Sequence, residues 1–160
     1  MGTHAAIGVR VGESIKTVYN HYDGYPNYLG MLLHAFYETE EKAIELVNLG
    51  SISQVRERVK PEPGEKHNFT NQLEDVTVAY ARDSGEDIDI VHIKNLDEIN
   101  YAEYIYVFEP SKGKWDTYIY TRNGWKIKEF DYDKMVKESI VSGYFSVMPE
   151  GYDRTTGERI

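Results

Sequence analysis

Between residues 19 and 26 the chain reads Tyr19-Asn20-His21-Tyr22-Asp23-Gly24-Tyr25-Pro26, a run in which most side chains can stack on or bond to a guest. Tyr19, Tyr22 and Tyr25 offer flat π faces, while Asn20 and Asp23 offer hydrogen-bonding groups for the edge of a ring. His21 and Asp23 are two apart, so on an extended backbone both point the same way. The carboxylate would then orient the imidazole and raise its basicity, as an acid–base pair requires. A helix is expected to begin directly afterwards, and its unpaired N–H groups suit an anion. The same residues also serve purely local ends: Asp23 as a helix cap, Gly24 for an unusual φ, Pro26 as a helix start.

A second run, Arg82-Asp83-Ser84-Gly85-Glu86-Asp87, places a guanidinium beside acidic residues. Arg82 would clamp a phosphate or carboxylate in two-pronged fashion, with Glu86 holding it in place. The alternative is a solvated hairpin tip. The expected ligand-binding set is therefore Tyr19, Asn20, His21, Tyr22, Asp23, Tyr25, Arg82 and Glu86. No catalytic residue is assigned. The remaining histidines, His4, His34, His67 and His92, are scattered, and no HExxH or carboxylate cluster of metal-binding form occurs. Glycine-rich phosphate loops and a serine nucleophile elbow are absent too. Neither a metal nor a cofactor is expected.

These runs need elements to hold them. Ala5, Ile7, Val9 and Val11 alternate with smaller or polar partners, and Ile15 to Tyr22 returns after Gly12-Glu13-Ser14, which predicts a hairpin. Leu29, Leu32, Leu33, Phe36 and Tyr37 recur at helical spacing over 27–38. Thr39 caps a second helix with Glu40 and Glu41 in its first turn and Gly50 as its stop. Residues 51–55 read as one further short turn, and Lys60 to Lys66 as polar loop. Val76, Val78 and Tyr80, then Ile88, Ile90 and His92, alternate as strands joined by the turn 82–87. Further strands run from Tyr104 to Glu109, through Trp115 to Thr121, and from Trp125 to Phe130, with Asn123-Gly124 as a type I′ turn. Asp133 caps a last helix carrying Val136, Ile140 and Val141.

Short loops and successive hairpins predict an α+β fold: an antiparallel sheet of about five to seven strands with two or three helices packed on one face. A length of 160 residues and 41% hydrophobic content fit one domain, placed at 1–148, with 149–160 a loose polar tail. Cysteine is absent, which excludes disulfides and thiolate chemistry. The opening residues lack a basic region followed by an apolar core, and no apolar run approaches the roughly 20 residues of a membrane span, so a cytoplasmic protein with no membrane partner is expected. A net charge of −9 disfavours a nucleic-acid polymer as partner. Fourteen tyrosines suit sheet faces first, and flat binding surfaces second.

The stretch from Ile15 to Leu33, with Tyr19, His21, Asp23-Gly24-Tyr25-Pro26 and Gly30, resembles a family of small accessory proteins of tailed bacteriophages. There a Tyr/Cys-His-Trp-Asp-Gly-Tyr strand end leads into a leucine-rich helix. Likeness returns at Leu49-Gly50-Ser51-Ile52-Ser53, at Tyr80 to Glu86, and at Ala102 to Phe108. Tyr22 stands where the family has tryptophan. The resemblance implies a viral origin and, by analogy, a role in countering host defence. The expected function is a non-catalytic protein, assembled as a homo-oligomer, that sequesters a small nucleotide-derived host signal. A stoichiometric inhibitor of a host defence protein is the alternative, and a small nucleotide hydrolase using His21 with Asp23 the second.

Overall fold

Ala5–Val11 (β1) and Ser14–Asn20 (β2) form the expected hairpin, with Val11 paired to Ser14 and Ala5 to Asn20. Gly12 opens its loop at φ +61°, a conformation glycine adopts without a Cβ clash. In the computed structural model, which describes residues 3–160, this hairpin is the middle of an eight-stranded sheet. The chain then makes a wide helical turn at Pro26–Gly30 and two helices, Met31–Phe36 (α1) and Glu40–Val47 (α2). Thr39 caps α2 as expected, its side chain accepting from the Lys42 N–H.

Residues 52–54, expected as a turn, are a strand instead: Ile52–Gln54 (β3), which runs parallel to β2 at Asn20. Val78–Ala79 (β4) pairs with β3 and forms the sheet's edge. Tyr80 does not extend β4 but starts a single helical turn, Tyr80–Ser84 (α3), stopped by Gly85 at φ +75°. Val91–Ile93 (β5) consequently does not pair with β4; it lies antiparallel to the N-terminal half of β2. A 3-10 turn at Leu96–Glu98 follows.

Tyr104–Glu109 (β6) sits beside β1 in parallel, and Lys114–Thr121 (β7) and Gly124–Ile127 (β8) complete the sheet as antiparallel hairpins. The last tight turn is centred on Arg122 and Asn123, one residue earlier than expected, with Gly124 at φ +94°. The fold is α+β, but the sheet is mixed, not antiparallel. Two of its neighbour pairs, β1–β6 and β2–β3, are parallel because helices or long excursions separate them in sequence.

Period-two alternation divides the core between the two faces. Ile7, Val9, Val18, Tyr106 and Phe108 point to one face, where Leu29, Leu32, Leu33, Leu46 and Val47 from the helices cover them. A last helix, Tyr132–Val141 (α4), packs on α1 through Met31, Ala35, Val136 and Ile140. It is capped by Asp131, two residues before the expected Asp133. The opposite face is covered without a long helix: Ile15, Ile105 and Val107, joined by Ile93 of β5, pack against Leu96 and Ile99 from the segment that follows.

Residues 149–160 are not loose. Tyr152 is buried, its hydroxyl donates to Asp133 at 2.9 Å, and Arg159 pairs with Glu38 at 2.9 Å. No helix among the described residues is long and apolar enough to cross a membrane.

Candidate functional site

The run 19–26 straddles the end of β2, and the structure sends its side chains to two sides. Tyr19 and His21 project from the face that lacks helices, because they keep the strand's alternation. His21 N–H still bonds to Ile52 O at 2.9 Å, as in a strand. At Asp23 the backbone turns to φ 54°, the left-handed region that aspartate tolerates better than most residues. Gly24 follows tightly: its N–H donates to Thr3 O at 2.8 Å, and a Cβ there would fall 2.7 Å from both that oxygen and the Ala5 side chain. The buried Tyr106 hydroxyl donates to Gly24 O at 2.7 Å, fixing the bend to the central strands.

The left-handed residue separates His21 from Asp23. Asp23 accepts from the Gln54 side-chain amide, which in turn accepts from Arg56, and it makes no bond to His21. Tyr25 also lies on that side, with its ring centroid 6.4 Å from Tyr28. There Tyr28, Gln54, Arg56, Glu57, Gln72 and Tyr144 line a shallow opening of about 430 Å³.

On the other side His21 finds a different partner. Extending the hairpin register one step beyond Ala5–Asn20 sets His4 opposite His21, and the two rings stack with centroids 4.9 Å apart. His4 Nδ1 donates to the His21 carbonyl at 2.9 Å and approaches the Tyr19 hydroxyl at 3.1 Å. The Tyr19 hydroxyl also bonds Nδ1 of His21. A carbonyl only accepts, so Nδ1 of His4 carries the proton; between the Tyr19 hydroxyl and Nδ1 of His21 either group can donate, according to the His21 tautomer. Among the described residues neither Nε2 has a hydrogen-bond partner. In the neutral rings Nε2 of His4 is an acceptor, and Nε2 of His21 is a donor or an acceptor according to its tautomer.

Aromatic rings surround this pair. Tyr22 meets His21 edge-on at 4.4 Å and Tyr101 meets Tyr19 edge-on at 5.2 Å. Both are open to solvent, Tyr22 at 46% and Tyr101 at 39% exposure. Burial, with Tyr80 and Tyr22 nearby, holds the Tyr19 phenol above its ordinary value. Tyr101 is pushed up to about 12, by burial first and by Asp89 second. Asp89 is thus the anion that acts on Tyr101.

The other expected residues are placed elsewhere. Asn20 is fully buried on the helix-covered side: its amide donates to Tyr22 O at 2.9 Å, and its Oδ1 has no partner among the described residues. Arg82 is two strands away, beyond β3 and β4, and its guanidinium is occupied. It donates to Val59 O at 2.6 Å, to Thr77 O, and to both oxygens of Asp83. Asp83 in turn accepts from Ala79 N–H at 2.8 Å and from the buried His67, whose Nδ1 accepts from Leu73 N–H. This assembly ties the 56–75 excursion to α3. Glu86 is exposed and does not reach Arg82. The two sequence runs do not form one site.

Larger openings lie apart from the bend: a groove of about 660 Å³ beside Phe36, Glu38, Met148 and Arg159, and one of about 990 Å³ beside Tyr120 and Trp125. No group of three or more His, Asp or Glu among the described residues is placed to hold a metal ion. No protein-family model, curated protein or solved structure matches the chain.

Proposed function

We propose that this protein is a non-catalytic binding protein that captures a nucleotide-derived small molecule by its base. The site is the open sheet face formed by His4, Tyr19, His21, Tyr22 and Tyr101. The observation that carries the reading is the Tyr19 hydroxyl bonded to Nδ1 of both histidines, which leaves both Nε2 atoms as hydrogen-bonding groups beside the exposed rings of Tyr22 and Tyr101. A planar heterocycle needs those two things, a π face to stack on and complementary groups for its edge. Arg82 is committed elsewhere and Asp89 lies near, so the phosphates of such a ligand would stay in solvent. The likeness of the 19–33 run to phage accessory proteins supports capture of a host signal as the purpose.

The test is to titrate the protein with adenosine and with AMP, following the Tyr22, Tyr101 and histidine ring signals by NMR. Saturable shifts confined to these rings, with adenosine binding at least as tightly as AMP, are expected. Unmoved rings, or binding lost in Arg82→Lys but kept in His21→Ala, would refute the site.

The openness of Tyr22 and Tyr101 favours one second reading, a partner protein gripped by the same rings. Denaturing protein purified from cells separates the two. Release of a nucleotide supports capture, and a stoichiometric polypeptide lost on Tyr22→Ala supports the partner.

A further inference from the structure

A second aromatic surface lies at the far end of the same sheet face. Tyr120 on β7 and Trp125 on β8 are cross-strand partners, and their rings meet edge to face with centroids 5.2 Å apart. Tyr120, one residue before the end of β7, is 67% exposed although it is a large ring. Ile99 extends this surface into an open groove of about 990 Å³, which the strand end at Tyr104 borders while its ring packs toward Tyr106 on the helix-covered face. The groove's ionisable lining is all acidic. Asp97 comes from the 3-10 turn that packs on β8, and Glu103 from the residue before β6. Neither carboxylate takes part in an ion pair among the described residues, and no lysine, arginine or histidine lines the groove. Arg10, Lys94 and Lys126 line an adjoining opening that Asp97 also borders, and Arg10 is held there by Glu109 at 2.8 Å.

We infer that this groove binds an alkylated ammonium ion. Aromatic faces attract cations through their quadrupole, and most effectively those whose alkyl groups weaken hydration, so that little is lost on leaving water. Two unpaired carboxylates beside the rings add long-range attraction and repel anions, as does a net charge of −9. A neutral apolar guest would gain contact with the rings but nothing from Asp97 and Glu103. The charge of the lining therefore selects the cation. This site shares no ring with the histidine site; the segment 97–103 separates them, with Tyr101 turned to one and Ile99 and Glu103 to the other.

Choline and its uncharged isostere 3,3-dimethylbutan-1-ol distinguish charge from shape. Trp125 fluorescence, read against the buried Trp115, and calorimetry follow the titration at constant ionic strength. Saturable choline binding is expected, with the isostere at least tenfold weaker. Tyr120→Ala, which alters an exposed side chain and leaves folding intact, should weaken choline tenfold or more, and so should Asp97→Asn combined with Glu103→Gln. A response equal to that of sodium chloride, equal binding of the isostere, or unchanged affinity in both variants would each overturn the proposal.

Discussion

Nε2 of His34 on α1 lies 2.7 Å from Oδ1 of Asp133 on α4, while Nδ1 of the same ring lies 2.7 Å from Glu38. Both ring nitrogens face carboxylates, so both donate and the ring is an imidazolium. Burial opposes the charge, but the two hydrogen bonds outweigh it and raise the His34 pKa. Asp133 is lowered, its burial outweighed by His34 and Tyr152, with Arg159 adding to the same field. A raised histidine stabilises fully below its unfolded pKa and is lost as pH rises through the folded value. A lowered aspartate stabilises above its unfolded pKa and is lost as pH falls. The tie is therefore strongest between about pH 4 and pH 6.5, the ordinary values of the two groups. Melting at pH 5.5 should exceed melting at pH 8 by about 2–4 °C, for a contribution of order 1 kcal/mol. His34→Gln should remove that difference.

Gly30 cannot be enlarged. A Cβ there would fall 2.3 Å from the Tyr132 hydroxyl, which is itself bonded to Thr117 at 2.7 Å inside the protein. Alanine is the better helix former, by roughly 1 kcal/mol. Gly30→Ala should nevertheless destabilise by about 1–3 kcal/mol through overpacking, measured by urea unfolding at unchanged m-value.

Arg82→Ala should cost about 1–3 kcal/mol, because the buried Thr77 carbonyl and the enclosed Asp83 lose their donor. Adenosine affinity of the folded fraction should not change. A loss of affinity with unchanged stability would reverse the structural role assigned here.

At Asp23 the positive φ governs the outcome. Asp23→Gly and Asp23→Asn should fold with little loss, whereas Asp23→Val should lose about 1–2 kcal/mol from the left-handed backbone alone. None of the three should move the His21 ring resonances as strongly as Tyr19→Phe does.

Removing Tyr22 or Tyr101 as alanine should weaken adenosine by about 1–3 kcal/mol per ring if each stacks on the base. NMR titration at fixed salt gives the measurement.

Much of the fold was legible because its signals are local. The β1–β2 hairpin, the α2 cap at Thr39 and the β6–β7–β8 meander follow from alternation, capping chemistry and glycine turns within a few residues. The parallel pairings were not, since nothing near Ile52 or Tyr104 states which strand lies alongside. Alternation was also misleading at Tyr80, where the backbone N–H bonds to Ser51 O and the chain turns helical. For the site, Tyr19, His21 and Tyr22 were readable as one aromatic and polar group. The supposed His21–Asp23 pair assumed an extended backbone through residue 23, and a single left-handed residue removes it. His4 was within reach, because a two-residue loop after Val11 makes it the cross-strand partner of His21. Tyr101 was not, as it arrives from a segment eighty residues later with no periodic signature.

β1 lies between β2 and β6, yet β6 follows it by nearly a hundred residues. During synthesis the first hairpin can close early, but one flank of its central strand has no mate until residue 108 has left the ribosome. That flank is a row of free amides and carbonyls on an apolar ribbon, the kind of surface that recruits neighbouring chains. The protein's yield in cells should therefore depend on translation speed and chaperone supply more than its final stability would suggest.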